Sequence, residues 1–170
     1  MNKKIYVGIF VTIILVLVIA FVYIFSPKLT IEEEDAFYSE IEREIIENEK
    51  KDLNNYKTFL SIKRFGYDVE KNNTYIYCWI QTENFFVNDE GRVQMEGGSS
   101  MPYKFIFKDE ALIGYDIPKD GKEYKESIKD IFPFSVRAKF DKVYEDDYLK
   151  NEIIKQVENY YNISVEDIYY

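Results

Sequence analysis

From Ile5 to Phe25 the chain reads IYVGIFVTIILVLVIAFVYIF, 21 residues without a charge. At about 1.5 Å of rise per residue, a helix of that length spans roughly 30 Å, the thickness of a bilayer's hydrocarbon core. Such a helix is apolar on every face, which only a membrane or a large protein core accommodates. The rest of a 170-residue chain is too small to supply that core, so the segment is read as a single-pass anchor. Lys3 and Lys4 precede it, whereas Glu32, Glu33, Glu34 and Asp35 follow soon after. The basic flank stays cytoplasmic and the remainder is placed outside the membrane. A cleaved signal peptide is the rival reading. That reading calls for a shorter apolar run and a small-x-small exit, whereas Phe21-Val22-Tyr23-Ile24-Phe25 is bulky throughout. The organisation expected is a cytoplasmic amino terminus at 1–4, an anchor at 5–25, a short linker at 26–29 and one extracytoplasmic domain over 30–170.

The outer part is strongly acidic. All 31 acidic residues follow Thr30, and 20 of the 22 basic ones follow the anchor, the other two being Lys3 and Lys4. Such a surface repels phosphate backbones, and no dense Lys/Arg cluster offsets it, so nucleic acid is not an expected partner. Cys78 stands alone, which excludes an intramolecular disulfide. The 16 tyrosines, with abundant Ile, Lys, Asn and Glu, fit the codon supply of an AT-rich genome as well as they fit selection for binding.

Pro27 ends the apolar helix. Thr30-x-x-Glu33 is a capping box, and Phe37, Ile41 and Ile45 make an apolar stripe, so Ile31 to about Asp52 is predicted as an amphipathic helix. The period then changes. Residues 57–70 and 74–87 are rich in aromatic and β-branched types and are separated by Lys71-Asn72-Asn73, a hairpin signal. Asn88-Asp89-Glu90-Gly91 reads as the next turn. Gly97-Gly98-Ser99-Ser100 reads as a flexible loop, followed by alternating strands at 101–108 and from Ala111 to Pro118. Asp120-x-x-Glu123 predicts a helix to about Ile131, and Asp141 to Tyr161 a second. The tail, 162–170, is either a last strand or a frayed end. Together these predict an α+β domain with an amphipathic helix, a curved antiparallel sheet of about four strands and two C-terminal helices. A cystatin- or NTF2-like roll is the expected topology.

The chain has no histidine, which removes Ser-His-Asp and Cys-His catalysis and ordinary zinc sites. Cys78, between Ile76 and Ile80, reads as a small buried hydrophobe more readily than as a nucleophile. Asp116 with Asp120, Asp89-Glu90 and Glu145-Asp146-Asp147 lack the twelve-residue calcium-loop pattern and read as solvated or capping charges. No catalytic, cofactor-binding or metal-binding residue is assigned, and no cofactor is expected. The aromatic residues offer a surface instead. Tyr75, Tyr77 and Trp79 share one strand face and Tyr103 lies on a neighbouring strand. With Ser99, Ser100 and Arg137 they form the candidate ligand or partner face, provided one side of the sheet is open. If both faces are covered by helices, the same rings are core.

Three stretches carry a resemblance: Gly98-Ser99-Ser100-Met101-Pro102-Tyr103; Ile117-Pro118-Lys119-Asp120-Gly121 leading to Tyr124; and Ser127-Ile128-Lys129-Asp130-Ile131-Phe132-Pro133 with Ser135-Val136-Arg137. Across roughly residues 60–140 the chain resembles an uncharacterised extracytoplasmic domain of low-GC Gram-positive bacteria. That domain occurs in small membrane-tethered proteins and attached to membrane metallopeptidases of the β-lactam-sensor type. The resemblance implies a location, and read physically the matching residues are scaffold: prolines 102 and 118 bound strands, Asp120 caps a helix, and Arg137, a lone arginine in an apolar run, is expected to pair with a sheet carboxylate. It implies no protease activity, because the chain carries no metallopeptidase motif. The function expected is a non-catalytic, membrane-anchored interaction or ligand-binding module with an envelope protein or peptide as partner. The alternative is an accessory subunit of an envelope complex acting partly through its transmembrane helix.

Overall fold

The computed structural model describes residues 9–18, 28–50, 56–144 and 147–169. Residues 9–18 are helical (α1), with every side chain exposed. No helix among the described residues is long and apolar enough to cross a membrane, and residues 5–8 and 19–25 of the expected anchor lie outside the described ones.

The remainder is an α+β domain built on a mixed five-stranded sheet. Helix α2 (Ile31–Lys50) begins at the predicted capping box. The Glu33 amide donates to Thr30 Oγ1 (3.2 Å) and the Thr30 amide to Glu33 Oε2 (2.7 Å). Those bonds hold the Glu33 carboxyl below its usual range. Strands β1 (Lys57–Glu70) and β2 (Asn73–Val87) form the predicted hairpin, with Lys71 in the left-handed region at its tip. Strand β3 (Val93–Lys108) pairs with β2 along its whole length, and β4 (Ala111–Asp116) pairs antiparallel with its C-terminal part. A 3-10 turn at Gly121–Glu123, three short helices and one longer helix follow: α3 (Tyr124–Ile131), α4 (Phe134–Arg137), α5 (Asp141–Tyr144) and α6 (Tyr148–Tyr161). Strand β5 (Ile168–Tyr169) returns parallel to the start of β3.

Several expectations need correction. The Gly97–Ser100 segment is not a loop. It lies inside β3, with Ser99 opposite Thr82 and Ser100 opposite Gln81. Strand β3 bulges at Glu96, between Met95 opposite Phe85 and Gly97 opposite Asn84, and at Gly98 it approaches the β2 backbone too closely for a side chain. Pro102 does not bound a strand but sits within β3, between the stretches that β4 and β5 cover. A strand tolerates a missing N–H where its edge has no partner. The sheet has a fifth, parallel strand rather than about four antiparallel ones, because the long helical crossover before β5 allows it to enter in the parallel sense. Asp120 makes no side-chain cap bond, since a 3-10 turn precedes α3. The expected helix over 141–161 is two helices, α5 and α6, and the expected two C-terminal helices become four.

Both faces of the sheet are covered. On one, α2 places Phe37, Tyr38, Ile41 and Ile45 over Leu60, Ile76, Cys78, Ile80, Tyr103, Phe105 and Phe107. On the other, the C-terminal helices bury Phe132, Val136, Phe140, Val143 and Leu149 against Phe65, Tyr77 and Trp79. Further along that face, Ile153 and Val157 pack on Phe59, Phe85, Val93 and Ile168. At about 1.5–3 kcal/mol per fully buried large side chain, these clusters supply the main stabilisation. A bulge between Arg64 and Gly66 turns Phe65 to the second face, and Lys139 Nζ donates to the Phe65 carbonyl.

Candidate functional site

The expected ligand face does not form. Trp79 is 1% exposed. Its indole N–H donates to Ser100 Oγ (2.8 Å) and its ring meets the edge of Phe140 at 5.4 Å. Tyr77 is 5% exposed beside Phe132, and its hydroxyl donates to Asp68 (3.0 Å). Tyr75 is half-buried under the Lys104 ammonium, 4.9 Å from its ring centroid. Tyr103 lies on the opposite side of the sheet, stacked on Phe105 at 5.4 Å, because antiparallel pairing sets it across from Cys78 rather than Trp79. Ser99 shares that side, its hydroxyl 3.0 Å from Thr82 Oγ1. Arg137, on α4, pairs with no carboxylate among the described residues. Its guanidinium lies 5.9 Å from the Phe134 ring and its Nε is buried without a hydrogen-bond partner. Two helix layers therefore use these aromatic rings as core.

The open concavity lies elsewhere, along the outer edge of β1. Helix α2 overhangs this edge from one face of the sheet and α6 from the other. A cavity of about 600 Å3 is floored by Lys57, Thr58, Phe59 and Leu60, with Glu42 and Ile46 on one wall and Gln156, Asn159 and Tyr160 on the other. A second, of about 230 Å3, shares Glu42, Leu60 and Gln156 with the first. It continues past Ser61, Ile62 and Arg64, between Tyr38 and the pair Tyr148 and Glu152. The shared residues make these one groove. Its floor runs from Lys57 to Arg64, roughly 25 Å at about 3.3 Å per residue.

Helical spacing explains the walls. Tyr38, Glu42 and Ile46 are four residues apart, as are Tyr148, Glu152 and Gln156, so each set lines one side of its helix. The floor is a strand edge with unspent hydrogen-bonding capacity. Gln156 Nε2 donates to the Leu60 carbonyl (2.8 Å), a side chain standing where a neighbouring strand's N–H would be. The ends of the groove are basic and engaged: Arg64 contacts Asp35 (2.9 Å) and Glu34 (3.7 Å) and lies 4.1 Å from the Tyr38 ring centroid, while Lys57 lies 5.0 Å from that of Tyr160. The middle is acidic, with Glu42 and Glu152 on opposite walls. Burial pushes the Tyr38 phenol far above its ordinary range, so at its end of the groove it remains a neutral hydrogen-bonding group.

Sequence reasoning missed this site because its floor and one wall come from segments about a hundred residues apart. The available signal was local: Gln156 sits between Ile153 and Val157 on a helix whose other inward positions are apolar. Among the described residues, no group of three or more His, Cys, Asp or Glu converges as metal ligands would. Cys78 is fully buried in the α2-facing core, where burial pushes its thiol far up. Comparison with family profiles, curated proteins and solved structures finds no match for this chain.

Proposed function

We propose that this chain is a non-catalytic binding module held at the outer surface of a membrane by residues 5–25, taking its ligand in the groove along β1. The observation that carries the reading is the groove itself: a strand edge left open between two overhanging helices and lined by hydrogen-bonding side chains from both. Concave sites with a few convergent polar groups are the usual places where folded domains take ligands. The 21 uncharged residues with lysines before and acids after support the tether and its orientation. The short link at 26–29 keeps the domain close to the bilayer, within reach of envelope proteins. The resemblance to extracytoplasmic domains of low-GC Gram-positive bacteria fits the same placement.

The test is photo-crosslinking in the native membrane with the full chain. A photoreactive residue at position 160, on the groove wall, is compared with one at position 113, exposed on β4. A discrete adduct from position 160 that is missing from position 113 is the expected result. No adduct at 160, or identical adducts at both, removes the groove as the ligand site. Protease protection of intact cells or vesicles tests the orientation: the acidic domain should be digested from outside only.

A further inference from the structure

We infer that the β1 groove takes an extended peptide segment as an added strand, with a lysine or arginine side chain directed at Glu42 on the α2 wall or at Glu152 on the α6 wall. This rests on the groove being the binding site and names its ligand class. The first ground is the direction of the backbone. Residues of an antiparallel strand alternate between those bonded to their neighbour and those facing away. The Leu60 carbonyl accepts from Gln156 on α6, so Leu60 faces outward, and Thr58 and Ile62, two residues either side, face outward with it. Three successive N–H and C=O pairs thus line the floor at the spacing a new strand would match.

The second ground is shape. A paired strand lies about 4.8 Å from its neighbour, and the concavity along β1 is lined by residues of both helices. Those helices also decide what enters. A second copy of the domain would have to bring its own α2 and α6 walls up to the same edge. A segment free on both faces carries no such walls. The third ground is charge. Side chains of an added strand point alternately to the α2 wall and the α6 wall, and each wall carries a carboxylate at mid-groove, Glu42 and Glu152. Lys155, which does not line the groove, pairs with Glu152 (2.6 Å), and the groove's own cations are engaged at its ends. The acidic domain adds a long-range preference for a basic segment.

The experiment uses the full chain in lipid nanodiscs and pools of heptapeptides with Thr, Ser, Val and Ile at random around a fixed central residue. One pool has central lysine with ordinary amides, one has central glutamate, and two have central lysine with either the odd or the even amides N-methylated. Binding is read by fluorescence anisotropy and by hydrogen exchange of β1. The lysine pool is expected to bind and to slow exchange at Thr58, Leu60 and Ile62 about tenfold or more. Central glutamate should weaken binding about tenfold, and one methylated set should lose about tenfold while the other keeps its affinity. Glu42→Gln with Glu152→Gln should abolish the preference for lysine without abolishing protection. Equal binding of both methylated sets, protection away from β1, or no protection by any pool overturns strand addition. Self-association of the chain with the same amides protected, in the absence of peptide, assigns the edge to a second copy and overturns it too. A position-160 adduct alongside a negative peptide result leaves the groove as a ligand site and removes only the strand.

Discussion

Replacing Gly98 by alanine puts a methyl group against the backbone of β2. Gly98 pairs with Glu83, and a Cβ built on it lies 3.0 Å from the Thr82 carbonyl carbon and 3.1 Å from the Glu83 Cα, with the Thr82 carbonyl oxygen nearer still. None of these atoms belongs to a flexible side chain, and β2 is bonded on both sides by β1 and β3, so the strands must separate locally. That disturbs the pairing around Thr82, where the Ser99 amide donates to Thr82 Oγ1 (3.2 Å) and the two hydroxyls lie 3.0 Å apart. Two or three such bonds at about 1 kcal/mol each, with about 1–3 kcal/mol of overpacking strain, give a loss of roughly 3–5 kcal/mol. The gain from a stiffer unfolded chain is only about 0.4–1 kcal/mol. Gly97 is the internal control. A Cβ there meets nothing within 4 Å, so Gly97→Ala should be neutral or stabilise by about 0.5 kcal/mol. Urea denaturation of the full chain in detergent, at unchanged m-value, measures both. If the two variants fall within about 1 kcal/mol of each other, the segment behaves as a loop and the β2–β3 register at Gly98 is wrong.

Two further perturbations probe the interior. Glu83 is 7% exposed with Oε2 unpartnered. Burial raises its carboxyl above the ordinary value of 4.5, opposed in part by the Gln81 hydrogen bond and the Lys150 charge. A raised carboxyl binds its proton more tightly in the folded state, so its contribution to stability is greatest at low pH and declines as pH rises from about 4.5 through the folded value. Glu83→Gln should therefore gain stability relative to wild type as pH rises from 4 to 7.5, in thermal melts across that range; an offset independent of pH refutes the burial argument. Cys78, its thiol pushed up by burial, should react with a disulfide reagent at pH 8 only as fast as the domain opens, and at once in denaturant. Rapid labelling of the native protein would mean that it is not a core residue.

Sequence alone determined the parts whose physics is local. The capping box of α2, the 57–70/74–87 hairpin and the burial of Cys78 follow from spacing and alternation, because an i,i+3 carboxylate and a period of two act within a few residues. The candidate site was not legible in this way. Trp79 and Tyr77 have the composition of a binding face, but Phe132 and Phe140, more than fifty residues downstream, cover them. Gly97 and Gly98 have the composition of a loop, but β2 claims them as strand. Alternation says which residues share a face, not whether a distant helix lies on it. Only tertiary packing decided that α2 and α6 overhang the same strand edge and leave a groove, because a vacancy is a property of where elements stop relative to one another and no single segment encodes it.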